Sequence, residues 1–182
     1  MRRLKSLALA AGVLALMAAI STSARAQEMT GSAHDTFLSR VTMAAPVFSR
    51  HFPKDREFND HNWGGVIFYA LDNRFSLAGG DFLNSYRRNT AFAAVSITPW
   101  ALNLDGAQIS PGALVGIDLT NGYKGYNPVE PLLGAATIKI GTHYFSDPHF
   151  QFLNRIGLLV TVIPGWGNNR STAANLALTI HL

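Results

Sequence analysis

A serine attacks an acyl ester only when something takes its proton, and a histidine within hydrogen-bond reach is the usual acceptor. Two residues of this 182-residue chain are placed for such chemistry. Ser85 lies in Asp81-Phe82-Leu83-Asn84-Ser85-Tyr86, where an extended run meets the charged pair Arg87-Arg88, and His51 closes the first extended run. The residue types alone also fit a strand-end hydroxyl and a solvated loop imidazole. His34, His61, His143, His149 and His181 show no His-Glu-x-x-His or comparable ligand spacing, and the chain has no cysteine. No metal site is therefore expected. No cofactor is expected either: no GxGxxG or phosphate-loop pattern follows a strand into a helix, and the glycines read as strand and turn residues.

The elements that would carry these residues are strands. After the first 26 residues there is no sustained helical periodicity, and Gly, Pro, Asn and Asp punctuate the chain at short intervals. Strands are predicted at 38–51, 63–71, 74–86, 89–99, 112–121, 131–141, 154–163 and 173–182, an even number. In the last of them Ala174, Leu176, Leu178, Ile180 and Leu182 share one face, and Ala173, Asn175, Ala177, Thr179 and His181 the other. Ile156, Leu158, Val160 and Val162 repeat the pattern, as do Ala113, Val115, Ile117 and Leu119, which set Asp118 on the opposite, inward face. The expected fold is all-β: an eight-stranded antiparallel up-and-down transmembrane β-barrel, whose closure pairs every strand edge as hydrocarbon demands. Short turns at Asp72-Asn73 and Arg87-Arg88 are expected to alternate with longer links at 52–62, 122–130 and 164–172, with 100–111 breaking the alternation. Trp63, Tyr69, Trp100, Tyr123, Tyr126, Tyr144 and Trp166 fall near strand ends, where aromatic girdles sit. Gly79-Gly80 suggests a bulge or a close backbone approach.

Composition supports export. Arg2, Arg3 and Lys5 precede an apolar run from Leu7 to Ile20, too short to cross a bilayer comfortably, and Ala24-Arg25-Ala26 offers small residues at a cleavage site. Residues 1–26 are thus expected to be a signal peptide and 27–182 a single barrel domain. Four of the fifteen Lys and Arg lie in that leader, so the mature chain carries eleven bases against eleven acids. A nucleic-acid partner, which needs surplus cations on one face, is not expected. A monomer is.

Four short segments, taken in order, resemble the PagP-type lipid A palmitoyltransferases of the bacterial outer membrane. Pro46-x-x-x-x-His51 looks like that family's first-strand proline and histidine. Asn59-Asp60-His61-Asn62-Trp63-Gly64-Gly65 is similar to its Asn-Glu-Arg-Pro-Trp-Gly-Gly, Phe82-Leu83-Asn84-Ser85-Tyr86 to its Phe-x-Asp-Ser-aromatic, and Ile163-Pro164-Gly165 with Asn168-Asn169 to its Ile-Pro-Gly-x-x-Asn-Asn. The resemblance implies an outer-membrane enzyme that moves a palmitoyl or shorter chain from a phospholipid to lipid A, with phospholipid and lipid A as partners. It implies a catalytic group of His51, Ser85 and Asn84, and substrate-binding roles for Ser96, Pro46 and Pro164. Ser96 stands where the family has a cavity-floor glycine, so a shorter acyl chain is expected to fit. Two positions depart from the pattern: Asn84 replaces a carboxylate, and Asn62 replaces a proline. Asp81 could supply the missing carboxylate only if a bulge at Gly79-Gly80 turned it inward.

The alternative reading is a non-enzymatic outer-membrane barrel with a lipid-binding or structural role. A periplasmic lipocalin-like barrel is a third, against which the neutral charge and apolar outer faces weigh.

Overall fold

The computed structural model describes residues 37–52, 58–125, 127, 129–142, 149–165 and 171–182. The predicted signal peptide lies outside the described residues, as do Tyr126, Tyr144 and Trp166. Residues Arg40–Leu182 form one compact unit, separate from Met1–Ser39.

That unit is a closed antiparallel barrel. Its strands are β1 (Val41–Phe52), β2 (Gly64–Ala70), β3 (Phe75–Leu83), β4 (Asn89–Ile97), the short β5 (Leu102–Leu104), β6 (Ala107–Asp118), β7 (Leu132–Thr142), β8 (Ile156–Ile163) and β9 (Thr172–His181). Each long strand pairs with its sequence neighbours, β4 pairs with β6, and β1 pairs with β9, so the sheet of eight long strands has no free edge. β5 is an appendage on β6, joined through Asp105-Gly106, an Asp-Gly pair typical of tight hairpin turns. This small hairpin accounts for the stretch 100–111 and starts β6 five residues earlier than the sequence suggests; Pro111 and Gly112, which resemble a turn, run inside the strand.

Side chains alternate around the wall as expected. Leu158, Leu178, Ile180, Val115, Ile117 and Ile138 are exposed on the outside. Ala44, Phe68, Ala78, Phe92, Ala94, Leu159 and Ala177 form the inner core, with Val66, Phe82, Leu114 and Leu133 against it. Alanine and glycine dominate many inward positions because an eight-stranded bore has little room. At Gly116 an added Cβ would meet the Ala93 carbonyl and, at 2.5 Å, the Ala94 side chain.

The barrel has two ends. The terminus end carries the start of β1 and the end of β9, the Asp72-Asn73 turn, the β5 hairpin and residues 149–155 before β8. Among the described residues, the loop end carries 58–63, 84–88, 119–125, 129–131, 164–165 and Ser171. Successive turns of an up-and-down sheet lie at opposite ends, so Asp72-Asn73 and Arg87-Arg88 do not share one end: the tight Arg87-Arg88 turn sits among the longer loops. Trp63 is exposed at the loop end and Trp100 at the terminus end, as girdle positions require, whereas Tyr69 is buried.

Two features of the wall bear on the site. The β3 ladders to β2 and β4 run unbroken through Gly79-Gly80. Of the two expectations for this pair the bulge is absent, but the close backbone approach is present, since a Cβ added at Gly80 would overlap the Gly65 carbonyl; Asp81 stays on the outer, exposed side. The register shift falls instead in β1, between Pro46 and Phe48. Moreover, among the described residues β1 pairs with β2 only from Val41 to Ala44, and no described strand continues that ladder up to Phe52.

Candidate functional site

The stretch of β1 that leaves β2 is the one that carries Pro46 and His51. Proline has no N–H to donate, and a bulge immediately after it re-aims the strand, so pairing ends where the residue types no longer support it. The space beside upper β1 is crossed by residues 58–62 rather than by a strand: the Ser49 N–H donates to the Asp60 carbonyl at 2.9 Å. The opposite wall thins in the same way. β7 pairs with β8 only from Ala136 to Gly141, leaving Leu132–Ala135 without ladder partners on the side where Pro164 follows Ile163. Pro46 and Pro164 thus flank two breaks in the wall, both toward the loop end.

His51 is buried at that end, 4% exposed, facing the interior. Its imidazole Nδ1 lies 3.4 Å from the Asp60 carboxylate, a contact without hydrogen-bond alignment that is an ion pair only when the ring is protonated. The Phe58 ring stacks on the imidazole with centroids 4.2 Å apart, Tyr86 meets Phe58 edge-on at 5.8 Å, and Tyr123 meets Tyr86 edge-on at 6.1 Å. An aromatic row therefore runs from His51 across the loop end. Burial, then the neighbouring Tyr86 and Asp118, push the Tyr123 phenol far above its ordinary pKa, so it stays a neutral hydroxyl.

Ser85 is 8% exposed at the same end, in the turn between β3 and β4. The Asn59 N–H donates to the Ser85 carbonyl at 2.9 Å, which ties the serine turn to the segment that carries Asp60. Sequence reasoning paired His51 with Ser85, and the structure brings them to one end with segment 58–60 between them. Asp60 is the residue that reasoning passed over. Its position, two residues past Phe58 in a short polar segment, gave no sign that the segment folds back over β1.

The Asn84 side chain is engaged in a hydrogen-bond network of its own. It is wholly buried. Its Nδ2 donates to Thr90 Oγ1 at 3.0 Å and to the Gly122 carbonyl at 2.9 Å, while its Oδ1 accepts from the backbone N–H groups of Tyr86 at 2.9 Å and Arg88 at 3.0 Å. Every polar position of the amide is used in clasping the serine turn to the next loop. A carboxylate in this place could not donate those two bonds. Gly122 is equally constrained, because an added Cβ would overlap Thr90 Oγ1. Asp118 holds the far side of that loop, accepting from Thr120 N–H at 2.9 Å, Thr120 Oγ1 at 3.1 Å and Tyr123 N–H at 3.0 Å.

Asn62, in the position of the family proline, donates through Nδ2 to Asn175 Oδ1 at 3.2 Å and accepts from Ser49 Oγ at 3.4 Å. It tethers segment 58–62 to inward positions of β1 and β9. Ser96 faces inward, 1% exposed, opposite Ser76 in the ladder, and lies beyond Phe92 and Ala94 when the bore is viewed from the loop end. Among the described residues no group of three His, Cys, Asp or Glu is placed to hold a metal ion.

No family model matches the chain, and no curated protein matches it. Among solved structures it is similar to a chain from the de novo design of transmembrane β-barrels, at 14% identity with a TM-score of 0.46, covering 79% of this chain and 96% of the other. It is also similar to the N-terminal β-barrel domain of Pseudomonas aeruginosa OprF, at 14% identity with a TM-score of 0.39, covering 78% and 97%. The closed eight-stranded architecture rests on the strand pairing of this chain itself.

Proposed function

We propose that this protein is an outer-membrane acyltransferase of the PagP-like kind, transferring an acyl chain from a phospholipid to lipid A. The observation that carries the reading is the His51–Asp60 contact at the loop end, on the same end as Ser85 and beside a stretch of β1 that has no strand partner. In this reading the His51 imidazole, whose Nδ1 lies 3.4 Å from the Asp60 carboxylate, takes the proton of an attacking hydroxyl, and Asp60 stabilises the imidazolium that forms. The acceptor oxygen bonds to the acyl carbon, the ester bond to the phospholipid glycerol breaks, and the proton passes from His51 to the departing lysophospholipid oxygen. Ser85 supplies a hydroxyl that can orient the acceptor or the ester carbonyl. The breaks beside Pro46 and Pro164 offer a lipid access from the side, and the apolar outer face suits a bilayer. Asn84 acts here as the clasp of the serine turn rather than as an acid or base.

Ser96 and the phenyl rings of Phe82 and Phe92, 5.8 Å apart, occupy the bore that a long acyl chain would need, which favours chains shorter than palmitoyl. Mass spectrometry of lipid A from cells carrying the wild-type gene, His51→Ala or Ser85→Ala tests the proposal. The wild type should add one acyl chain and both variants should lose it; an unaltered lipid A pattern with the wild type would count against it.

A second reading, a non-enzymatic lipid-binding or structural barrel, is favoured by the Phe58 ring, which covers one face of the imidazole. In that reading His51 is a packed aromatic.

A further inference from the structure

The terminus end of the barrel holds a second feature that acyl transfer does not use. A cavity of about 730 Å³ opens there, and among the described residues its walls carry Arg40, Arg74, Lys139 and Arg155 and one carboxylate, Asp72. Lys139 is the unusual member. It lies on the inward face of β7, opposite Ser110 on β6 and Leu159 on β8, and its Nζ sits 5.2 Å from the centre of the Phe68 ring. Among the described residues no carboxylate lies within salt-bridge distance of it. A cation held inside a narrow barrel without a counter-charge is costly, and the face of one phenyl ring offsets only part of that cost. Just toward the loop end, Thr137 on the same strand and Ser96 on β4 are buried, and neither hydroxyl has a hydrogen-bond partner. Ser76, which faces Ser96 in the ladder, lines the cavity itself.

We propose that this cavity is a binding site for a phosphate-bearing anion. Among the described residues, Arg74, Lys139 and Arg155 against the one carboxylate of Asp72 leave a surplus of positive charge that matches a di- or trianion better than a monocarboxylate. Arg74 and Arg155 lie toward the rim, where guanidinium groups present paired donors that fit phosphate oxygens. Lys139 forms the deep end as a point charge. The arrangement is the reverse of the loop end, where His51 is accompanied by the carboxylates of Asp60 and Asp118. It is independent of the acyl-transfer reading, since none of its residues takes part in that site. The phosphate can be that of a free solute or of a lipid headgroup, and the recognition chemistry is the same for both.

The test is calorimetric titration of the purified barrel, folded in a zwitterionic detergent and free of phosphate, with inorganic pyrophosphate and orthophosphate. One saturable site is expected, tighter for pyrophosphate and weakened by salt. Lys139→Met should reduce the affinity by about tenfold or more and Arg155→Gln by several-fold, as expected for loss of charged hydrogen-bond donors. Lys124→Gln, at the other end, should leave it unchanged. Lys139→Met should also melt at a higher temperature than the wild type, because an inward charge is removed; a lysine with a purely structural role would give the opposite shift. Competition by glycerol phosphate would mark a soluble ligand, and competition only by phosphatidylglycerol in mixed micelles a lipid headgroup; either supports the site. Absence of saturable binding up to the order of ten millimolar pyrophosphate, or equal affinity in wild type, Lys139→Met and Arg155→Gln, would overturn it.

Discussion

Asn84 shows how a residue can occupy a catalytic-looking position and serve the fold. Its amide donates twice and accepts twice, all within the clasp between the serine turn, Thr90 and Gly122. Replacing it by Asp would set a carboxylate oxygen against the Gly122 carbonyl and leave a buried group without its donor, so Asn84→Asp should destabilise the folded barrel by about 1–3 kcal/mol. Urea unfolding followed by heat-modifiable gel mobility checks this; an unchanged midpoint would show that the clasp is dispensable. Asp60 is the residue expected to matter for chemistry. Asp60→Asn keeps its shape but removes the charge that stabilises the imidazolium, so acyl transfer should fall by about 10²–10⁴-fold with the folded fraction unchanged. Steady-state rates on the refolded variant give the answer, and a rate equal to wild type would assign His51 another partner.

At the scale of the strand, most of the architecture is legible in the sequence because one rule dominates it: side chains alternate between a narrow bore and an apolar exterior. The faces of β8 and β9 and the inward turn of Asp118 follow directly from that rule. Two things do not. The paired glycines at 79–80 look like a bulge, yet strong ladders on both sides hold β3 straight, and the irregularity goes to Pro46, where a donor is missing. Segment 58–62 has no period at all, so nothing local announces that it bridges upper β1 and brings Asp60 to His51. The alternation makes a sharp prediction. Val160→Arg, pointing outward near the middle of β8, should cost about 2–4 kcal/mol in bilayers, whereas Thr161→Ser, on the inward face of the same strand, should be near neutral. Equal effects would mean that the outer face is not in lipid. The β2–β3 turn offers a pH test. Asp72 accepts from the N–H groups of Arg74 and Phe75, each at 2.7 Å, and these bonds hold its carboxyl below the ordinary range. A depressed folded-state pKa means that the stabilisation is present above the unfolded carboxyl pKa and is lost as pH falls through the folded value. Wild type should thus exceed Asp72→Asn slightly at neutral pH, and the two should converge in strong acid; a difference that persists at low pH would contradict this assignment.

The whole molecule divides its chemistry between two ends of one barrel. Packed alanine and phenyl side chains separate a loop end with a histidine, a carboxylate and a serine from a terminus end rich in arginine and lysine. The even balance of eleven bases and eleven acids over residues 27–182 conceals this polarity, because composition counts charges without saying which end they occupy. The central proposal is that the loop end transfers acyl chains between lipids. Its most direct test is a single incubation of the purified, folded protein with phospholipid labelled in its acyl chain and unlabelled lipid A. Label should appear in lipid A with an equal amount of lysophospholipid, and His51→Ala should abolish both. Folded wild-type protein that leaves the label entirely in the phospholipid would contradict the proposal.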